Sequence, residues 1–277
     1  MAKVALLVEY DGTRFAGFQR QAPEKGPTVQ GAIETAIGRV SGDALTVAAA
    51  GRTDSGVHAS GQVVNFGSSA RLTPLAWGRA VNAYLPEDVA VRAAARVAEG
   101  FHARFSALAR SYRYRVFVAP ARSPLRERYA LRMPHALDVA AMDEAAGALL
   151  GEHDFGAFGA SPSSGPSSGP SGARGHCVRR MLAARCRLVE GSGAEEMEAG
   201  TAEIAFDFTA NAFLSGMVRR LVGTLLLVGG GRLSREGFAA ILAARAKAHP
   251  GAAVAARGLC LVGVTYPEGA LNWERVG

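Results

Sequence analysis

Apolar and polar residues along this chain recur in short runs whose period switches between two and roughly 3.6 residues, so strands and helices are interleaved. Lys3-Val4-Ala5-Leu6-Leu7-Val8 opens the chain as a strand over residues 4–10, and Asp11-Gly12-Thr13 turns it. Arg14, Arg20 and Lys25 follow on a loop. Thr28 is a plausible N-cap. From there Val29, Ala32, Ile33, Ala36, Ile37 and Val40 recur at helical spacing until Gly42 stops the run. Residues 45–50 form a short apolar run with the composition of a buried strand, and residues 62–66 read as a second strand. A helix capped by Thr73, with Pro74 at its first position, and a strand over Val89–Val97 complete this half.

The pattern restarts near Phe101. Residues 111–118 form a strand in which Tyr112 and Tyr114 share one face and Arg113 and Arg115 the other. An amphipathic helix is expected over 136–150. Residues 178–189 and 201–209 read as a hairpin joined by the acidic loop 190–200. Asn211 is expected to cap a helix from about Phe213 to the Gly229-Gly230-Gly231 run, with a further helix from Ser234 and a last strand over 259–264. The halves, 1–104 and 105–277, share a strand–helix–strand rhythm without a repeat in the residues themselves. Residues 159–175 are Ser, Gly and Pro with no apolar period, and are expected to be a mobile surface insertion.

Composition changes this picture little. The 277 residues, 49% hydrophobic and 20% charged, fit a globular protein with ample length for a core. The net charge of +7 points to an acidic partner, most simply nucleic acid. No apolar run approaches the roughly 18–20 residues of a membrane span, and the N-terminus carries no signal-peptide cleavage pattern. Cys177, Cys186 and Cys260 are odd in number and lack a C-x-x-C pair, so neither a disulfide framework nor a zinc site is indicated and a reducing cytoplasm fits.

The chemistry concentrates between the two strand-like runs near residue 50. Gly51-Arg52-Thr53-Asp54-Ser55-Gly56-Val57-His58-Ala59 holds a carboxylate, a guanidinium, an imidazole, two hydroxyls and two glycines, where a plain turn needs two to five residues and no charge. Its glycines permit φ > 0, so the backbone can fold tightly around whatever Asp54 faces. Asp54 alone could instead form an Asx-turn. Arg52 reads three ways: pairing with Asp54, binding a phosphate, or wedging into a base stack. His58 reads as a brace of the loop.

This loop resembles the catalytic GRTDxGVHA signature of the tRNA pseudouridine synthase A family. Similar blocks follow in order: Glu9-Tyr10-Asp11-Gly12-Thr13 with Gly17-Phe18-Gln19-Arg20-Gln21; Phe101-His102-Ala103-Arg104-Phe105-Ser106; Tyr112-Arg113-Tyr114; and Asn211-Ala212-Phe213 with Met217-Val218-Arg219. The resemblance implies an α/β fold of the α+β type, with two similar halves around a largely antiparallel central sheet with flanking helices and the active-site cleft between the halves. It implies isomerisation of uridine to pseudouridine at positions 38, 39 and 40 of the tRNA anticodon stem-loop, by a homodimer in the cytoplasm. Asp54 is then the catalytic carboxylate. Tyr112 offers a ring for the uracil, Arg219 pairs with the catalytic Asp, and Arg52 faces RNA; Gln19, Arg20, His102 and Arg104 are weaker RNA contacts. The reaction adds and removes no atom, so neither cofactor nor metal is required. This chain departs from the family at Leu214-Ser215-Gly216, where bulkier or His-rich residues are usual, and in the Ser/Gly/Pro insertion.

Three other readings keep the same residues. The chain could be a pseudouridine synthase acting on another RNA, or an RNA-binding relative without catalysis. It could also be a nucleosidase breaking the same bond, for which Asp11 is the nearest second carboxylate.

Overall fold

The computed structural model describes residues 2–159, 177–190, 201–244 and 251–276. In chain order these form β1 (Ala2–Tyr10), α1 (Val29–Ser41), β2 (Ala48–Ala49), β3 (His58–Ser68), α2 (Pro74–Asn82), β4 (Val89–Val97), β5 (Ala109–Val118) and β6 (Leu131–Met133). They continue with α3 (Val139–Gly147), β7 (Gly151–Asp154), β8 (Val178–Leu188), β9 (Glu203–Ala210), α4 (Met217–Gly229), α5 (Arg235–Ala244), β10 (Leu259–Thr265) and β11 (Glu274–Arg275). The protein is therefore mixed α/β, and it divides into two compact units: Met1–Arg110 with Cys260–Gly277, and Ser111–Leu259. β11 and all of β10 but Leu259 are thus built into the first unit.

In the first unit β1 lies antiparallel between β3 and β4, β11 adds antiparallel to β4, and β10 pairs parallel with β3. Residues 4–8 of β1 are nearly continuously buried because both faces of this sheet are covered. On one face lie Leu6, Val64, Phe66, Ile33, Ile37 and Trp77, all under 3% exposed; the Phe66 and Trp77 rings meet edge to face at 5.0 Å. The other face gathers Ala5, Val63, Val97 and Phe101 beneath Tyr266, Leu271 and Trp273 from the C-terminal segment. The caps read from sequence hold here. Thr28 Oγ1 accepts the Gly31 N–H, Gly42 ends α1 in the left-handed region at φ 77°, and Thr73 caps α2 with Pro74 in its first turn.

Residues 45–50 differ from the expected strand, since only Ala48–Ala49 pair with β3. The reason is a buried carboxylate: Glu34 Oε1, on α1, takes the Val47 N–H at 3.1 Å, so a side chain replaces a ladder bond. Conversely β3 is longer than residues 62–66 and begins at His58, which moves His58 and Ala59 from loop into sheet.

In the second unit β8 pairs antiparallel with β7 and β9, and β9 neighbours β5. Across β5 and β9, Ser111 meets Thr209, Arg113 meets Asp207 and Arg115 meets Glu203, with distances of 2.8, 2.6 and 3.1 Å. These polar pairs occupy the face opposite Tyr112 and Tyr114, which are 8% and 0% exposed, as alternation requires. The α3 helix is shorter than 136–150 because Asp138 caps it, accepting the Ala141 N–H. Asn211 caps no helix: its Oδ1 accepts the Arg180 and Ala212 N–H groups, and the chain enters α4 only after Gly216, at φ 68°. The end of α4 at Gly229 agrees with the sequence, and here Met142 of α3 packs where a Cβ would stand. Of the expected insertion 159–175 only Gly159 is among the described residues; in the acidic loop 190–200 only Glu190 and Gly200's neighbour Thr201 border the described chain. Among the described residues no helix is long and apolar enough to cross a membrane.

Candidate active site

Asp54 is exposed, while Thr53 before it and Val57 after it are buried. That contrast arises from how the backbone on both sides is held. Gln62, fully buried in β3, donates from Nε2 to the Gly51 carbonyl at 2.8 Å. Arg110, 9% exposed, donates from Nε and Nη2 to the Ala50 carbonyl at 3.2 and 3.0 Å. The Thr53 hydroxyl shares a hydrogen bond of 2.8 Å with the Tyr10 hydroxyl, and the Thr53 carbonyl accepts the Phe18 N–H at 3.0 Å. Ser55 Oγ donates to the Phe15 carbonyl, and the Val57 N–H bonds back to the Asp54 carbonyl.

Segment 12–18 lies on this loop at a spacing that side chains would prevent. A Cβ on Gly12 would sit 2.0 Å from the Val57 carbonyl oxygen. One on Gly17 would sit 3.0 Å from the Thr53 oxygen and 3.3 Å from the Ser55 nitrogen, and Gly17 has φ 110°. Residues 17 and 18 in turn accept the Val29 and Gln30 N–H groups at the start of α1. The loop bearing Asp54 is thereby joined to a strand on one side and a helix start on the other.

His58 serves this arrangement from β3. It is 6% exposed, and its Nδ1 lies 3.1 Å from the Gly12 backbone nitrogen. Asp11 Oδ1 stands 3.1 Å from the same nitrogen and accepts the Thr13 N–H and hydroxyl as the cap of a short 3-10 turn. The brace expected of His58 is what it provides. Asp11, the second carboxylate a nucleosidase would need, is committed to capping.

Arg52 is exposed on the same loop, and among the described residues no hydrogen bond or ion pair engages its side chain. Of the weaker contacts, Arg20 forms an ion pair of 3.4 Å with the buried Glu34, and Arg104 is exposed.

Tyr112 and Arg219 belong to the second unit. The Tyr112 ring meets Phe213 edge to face at 5.0 Å, so the segment leading into α4 fixes its orientation. Arg219 is in the first turn of α4, half-buried, with Nε donating to the Val254 carbonyl at 2.7 Å while its own carbonyl accepts the Val254 N–H. Gly223, one turn further on, lets that segment come close: a Cβ there would lie 2.0 Å from the Ala252 oxygen. Tyr114, the neighbour on the Tyr112 face, is structural. Its hydroxyl donates to the Ala255 carbonyl at 2.8 Å, and Gly258 makes room for its ring. Burial pushes its phenol well above the usual range, against the pull of Arg219 and then Arg257, so it stays neutral.

Sequence reasoning missed the grip of Gln62 and Arg110 on the loop. The signal was present for Gln62, a polar residue inside an apolar strand run, because a buried amide needs a partner. Nothing local distinguishes Arg110 from the other arginines of its strand.

Residues 6–106 and 145–267 match the family described as tRNA pseudouridine synthase. Those blocks contain Arg52, Asp54 and Arg219, and Tyr112 falls between them. Among curated proteins, the chain is similar to the tRNA pseudouridine synthase A of Neisseria meningitidis serogroup B, with 43% identity over 264 residues, 95% of this chain and 92% of the relative. It is 44% identical over 268 residues to the protein of that name from Roseiflexus castenholzii, covering 97% of this chain and 92% of the relative. The corresponding figures for that of Xylella fastidiosa strain M23 are 41% over 268 residues, 97% and 96%.

Gly17 packs against the backbone on both sides of Asp54, so this contact can be tested apart from the carboxylate. Gly17→Ala adds a side chain at φ 110°, a strain of about 1–3 kcal/mol, and crowds the Thr53 carbonyl. Displacing a reacting group by about 1 Å costs on the order of a hundredfold in rate. The variant is expected to keep the parent's circular dichroism spectrum and to lose at least tenfold in turnover. Turnover equal to the parent would show that the approach of segment 12–18 does not position Asp54.

Proposed function

The chain belongs to the tRNA pseudouridine synthase family, and from that premise we propose that Asp54 is the carboxylate that isomerises uridine to pseudouridine at positions 38, 39 and 40 of the tRNA anticodon stem-loop. Enzymes of this family are isomerases. The N1–C1′ bond of the nucleotide breaks, the uracil turns while it stays bound, and C5 joins C1′. Such a reaction needs one ionised carboxylate at the sugar–base junction and walls that retain the detached base. Whether Asp54 attacks the nucleotide or removes a proton, it acts charged.

One observation supports the reading above the others: an exposed carboxylate stands on a loop that is hydrogen-bonded on both sides of it and anchored by the buried Thr53 and Val57. A surface Asp in a plain turn would need none of that bracing. Here the bracing fixes where an ionised group meets solvent and substrate, which is the condition for preorganised catalysis.

The other residues take roles that suit their surroundings. The Tyr112 ring, held by Phe213, is the surface on which the uracil stacks. The Arg219 guanidinium, tethered through Nε, presents its fork in a fixed plane to an anionic group. Arg52 is offered to RNA and occupies the space left when the target base leaves the stack, offsetting part of the few kcal/mol of extraction. The protein acts as a cytoplasmic homodimer on tRNA, and site choice rests on RNA shape, since the sequence around these positions varies. The +7 net charge supports a polyanionic substrate.

Asp54→Asn keeps the side-chain shape and removes the charge. Pseudouridine formation in an unmodified tRNA is expected to disappear while the Kd for that tRNA stays within a few-fold. A residual rate within tenfold of the parent would remove Asp54 from its role.

Tyr112 and Arg219 separate by their physics. Tyr112→Phe is expected to keep tRNA affinity, whereas Tyr112→Leu loses about 1–3 kcal/mol of stacking. Arg219→Lys retains the charge without the planar fork, so the rate falls steeply with little change in binding. Parent-like kinetics in Tyr112→Leu or in Arg219→Lys would take that residue out of the site.

A further inference from the structure

Residues 101–108 present a feature that the chemistry above leaves unused. Phe105 is 75% exposed and Leu108 55%, on a loop that is otherwise firmly held. Phe101 and Ala103 are buried in the first unit's core. The Ala103 N–H donates to Asn65 Oδ1 at 2.7 Å, and its carbonyl accepts the Tyr266 hydroxyl at 2.7 Å. His102 and Ser106 bond to each other twice, backbone to hydroxyl and backbone to backbone. A lone exposed apolar residue needs no explanation. A phenyl ring held out by a loop pinned at so many points does.

The ring is not surrounded by apolar surface. The His102 imidazole lies 4.4 Å from it, tilted by 40°, and the Arg104 guanidinium is 5.5 Å from its centroid. His102 Nδ1 accepts the Arg104 N–H, so a neutral His102 carries its proton on Nε2, as a donor. An aromatic face bordered by a ring N–H and a guanidinium is the pattern that holds unstacked nucleobases and their phosphates.

The loop also shares a tie with the catalytic loop. Arg110 donates from Nη2 to the Arg104 carbonyl and from Nη1 to the Ala107 carbonyl, while Nε and Nη2 hold the Ala50 carbonyl next to Gly51. One buried guanidinium therefore sets the register between Phe105's loop and the loop of Asp54.

We propose that Phe105, with His102 and Arg104, is a stacking platform for an unpaired base of the RNA substrate other than the target uridine. Arg110 fixes its distance from the catalytic loop. The proposal rests on the RNA-modifying role argued above. A bound base on this platform orients the RNA before the target uridine is withdrawn, so it adds affinity through a contact that carries no charge.

The test measures the Kd of the full-length protein for an unmodified tRNA transcript across a salt series, in parallel with pseudouridine formation by the parent. Phe105 is mostly exposed, so substitutions there leave the fold intact. Phe105→Leu is expected to weaken binding by about five- to 150-fold, the range of a base–aromatic stack. Phe105→Tyr keeps the ring and stays within about threefold of the parent. Because the lost contact is uncharged, the slope of log Kd against log salt is the same in all three proteins. Parent-like affinity of Phe105→Leu overturns the platform, as does a change of oligomeric state in that variant, which would make the ring a contact between two copies. A parent that forms no pseudouridine in the tRNA overturns the role of Asp54 instead, so the two failures are distinct.

Discussion

The close approach of segment 12–18 to the loop 51–57 is the constraint on which this site depends. Two glycines allow it: Gly12, against the Val57 carbonyl, and Gly17, against Thr53 and Ser55. With backbone meeting backbone, the Asp54 loop cannot drift without disturbing β1, the start of α1 and β3 together. Buried polar groups at this contact find partners, Tyr10 on Thr53, His58 on Gly12 and Gln62 on Gly51. A half-satisfied cluster of this kind would be costly. A satisfied one makes a surface carboxylate as well placed as a core residue.

Much of this was legible beforehand because the local signals agree with one another. The Thr28 and Thr73 caps, the Gly42 stop, the Val89–Val97 strand and the tyrosine and arginine faces of β5 follow from period and propensity. Two of the differences have a shared cause. Asn211 looks like a cap, but its amide is spent on the Arg180 N–H across the sheet, and residues 45–50 look like a strand, but Glu34 takes the Val47 N–H. In each case a polar side chain satisfies a backbone group far away in sequence, which no local pattern records. At the site, the motif identified Asp54 and its neighbours, whereas the residues that hold them had to be seen. Arg110 and Gln62 grip the Ala50 and Gly51 carbonyls, 60 and 11 residues away, and a side chain that bonds to distant carbonyl oxygens leaves no signature in sequence.

The second unit uses charge differently. Arg113, Arg115 and Arg187 are paired with Asp207 and Glu203 on one face of its sheet, so much of its positive charge is balanced locally. Arg219 donates to a carbonyl, and that bond holds its plane. The same logic recurs at Arg110 in the first unit. Carbonyl-bound guanidinium groups act here as fixed struts, and carboxylate-bound ones stitch strands.

The proposed function is the conversion of particular uridines of tRNA. The most direct measurement maps every pseudouridine in a set of unmodified tRNA transcripts after incubation with the purified protein. Pseudouridine is expected at positions 38, 39 and 40 wherever uridine occurs there, and nowhere else in the molecule. Pseudouridine confined to positions outside the anticodon stem-loop, or its absence from all of the transcripts, would contradict it.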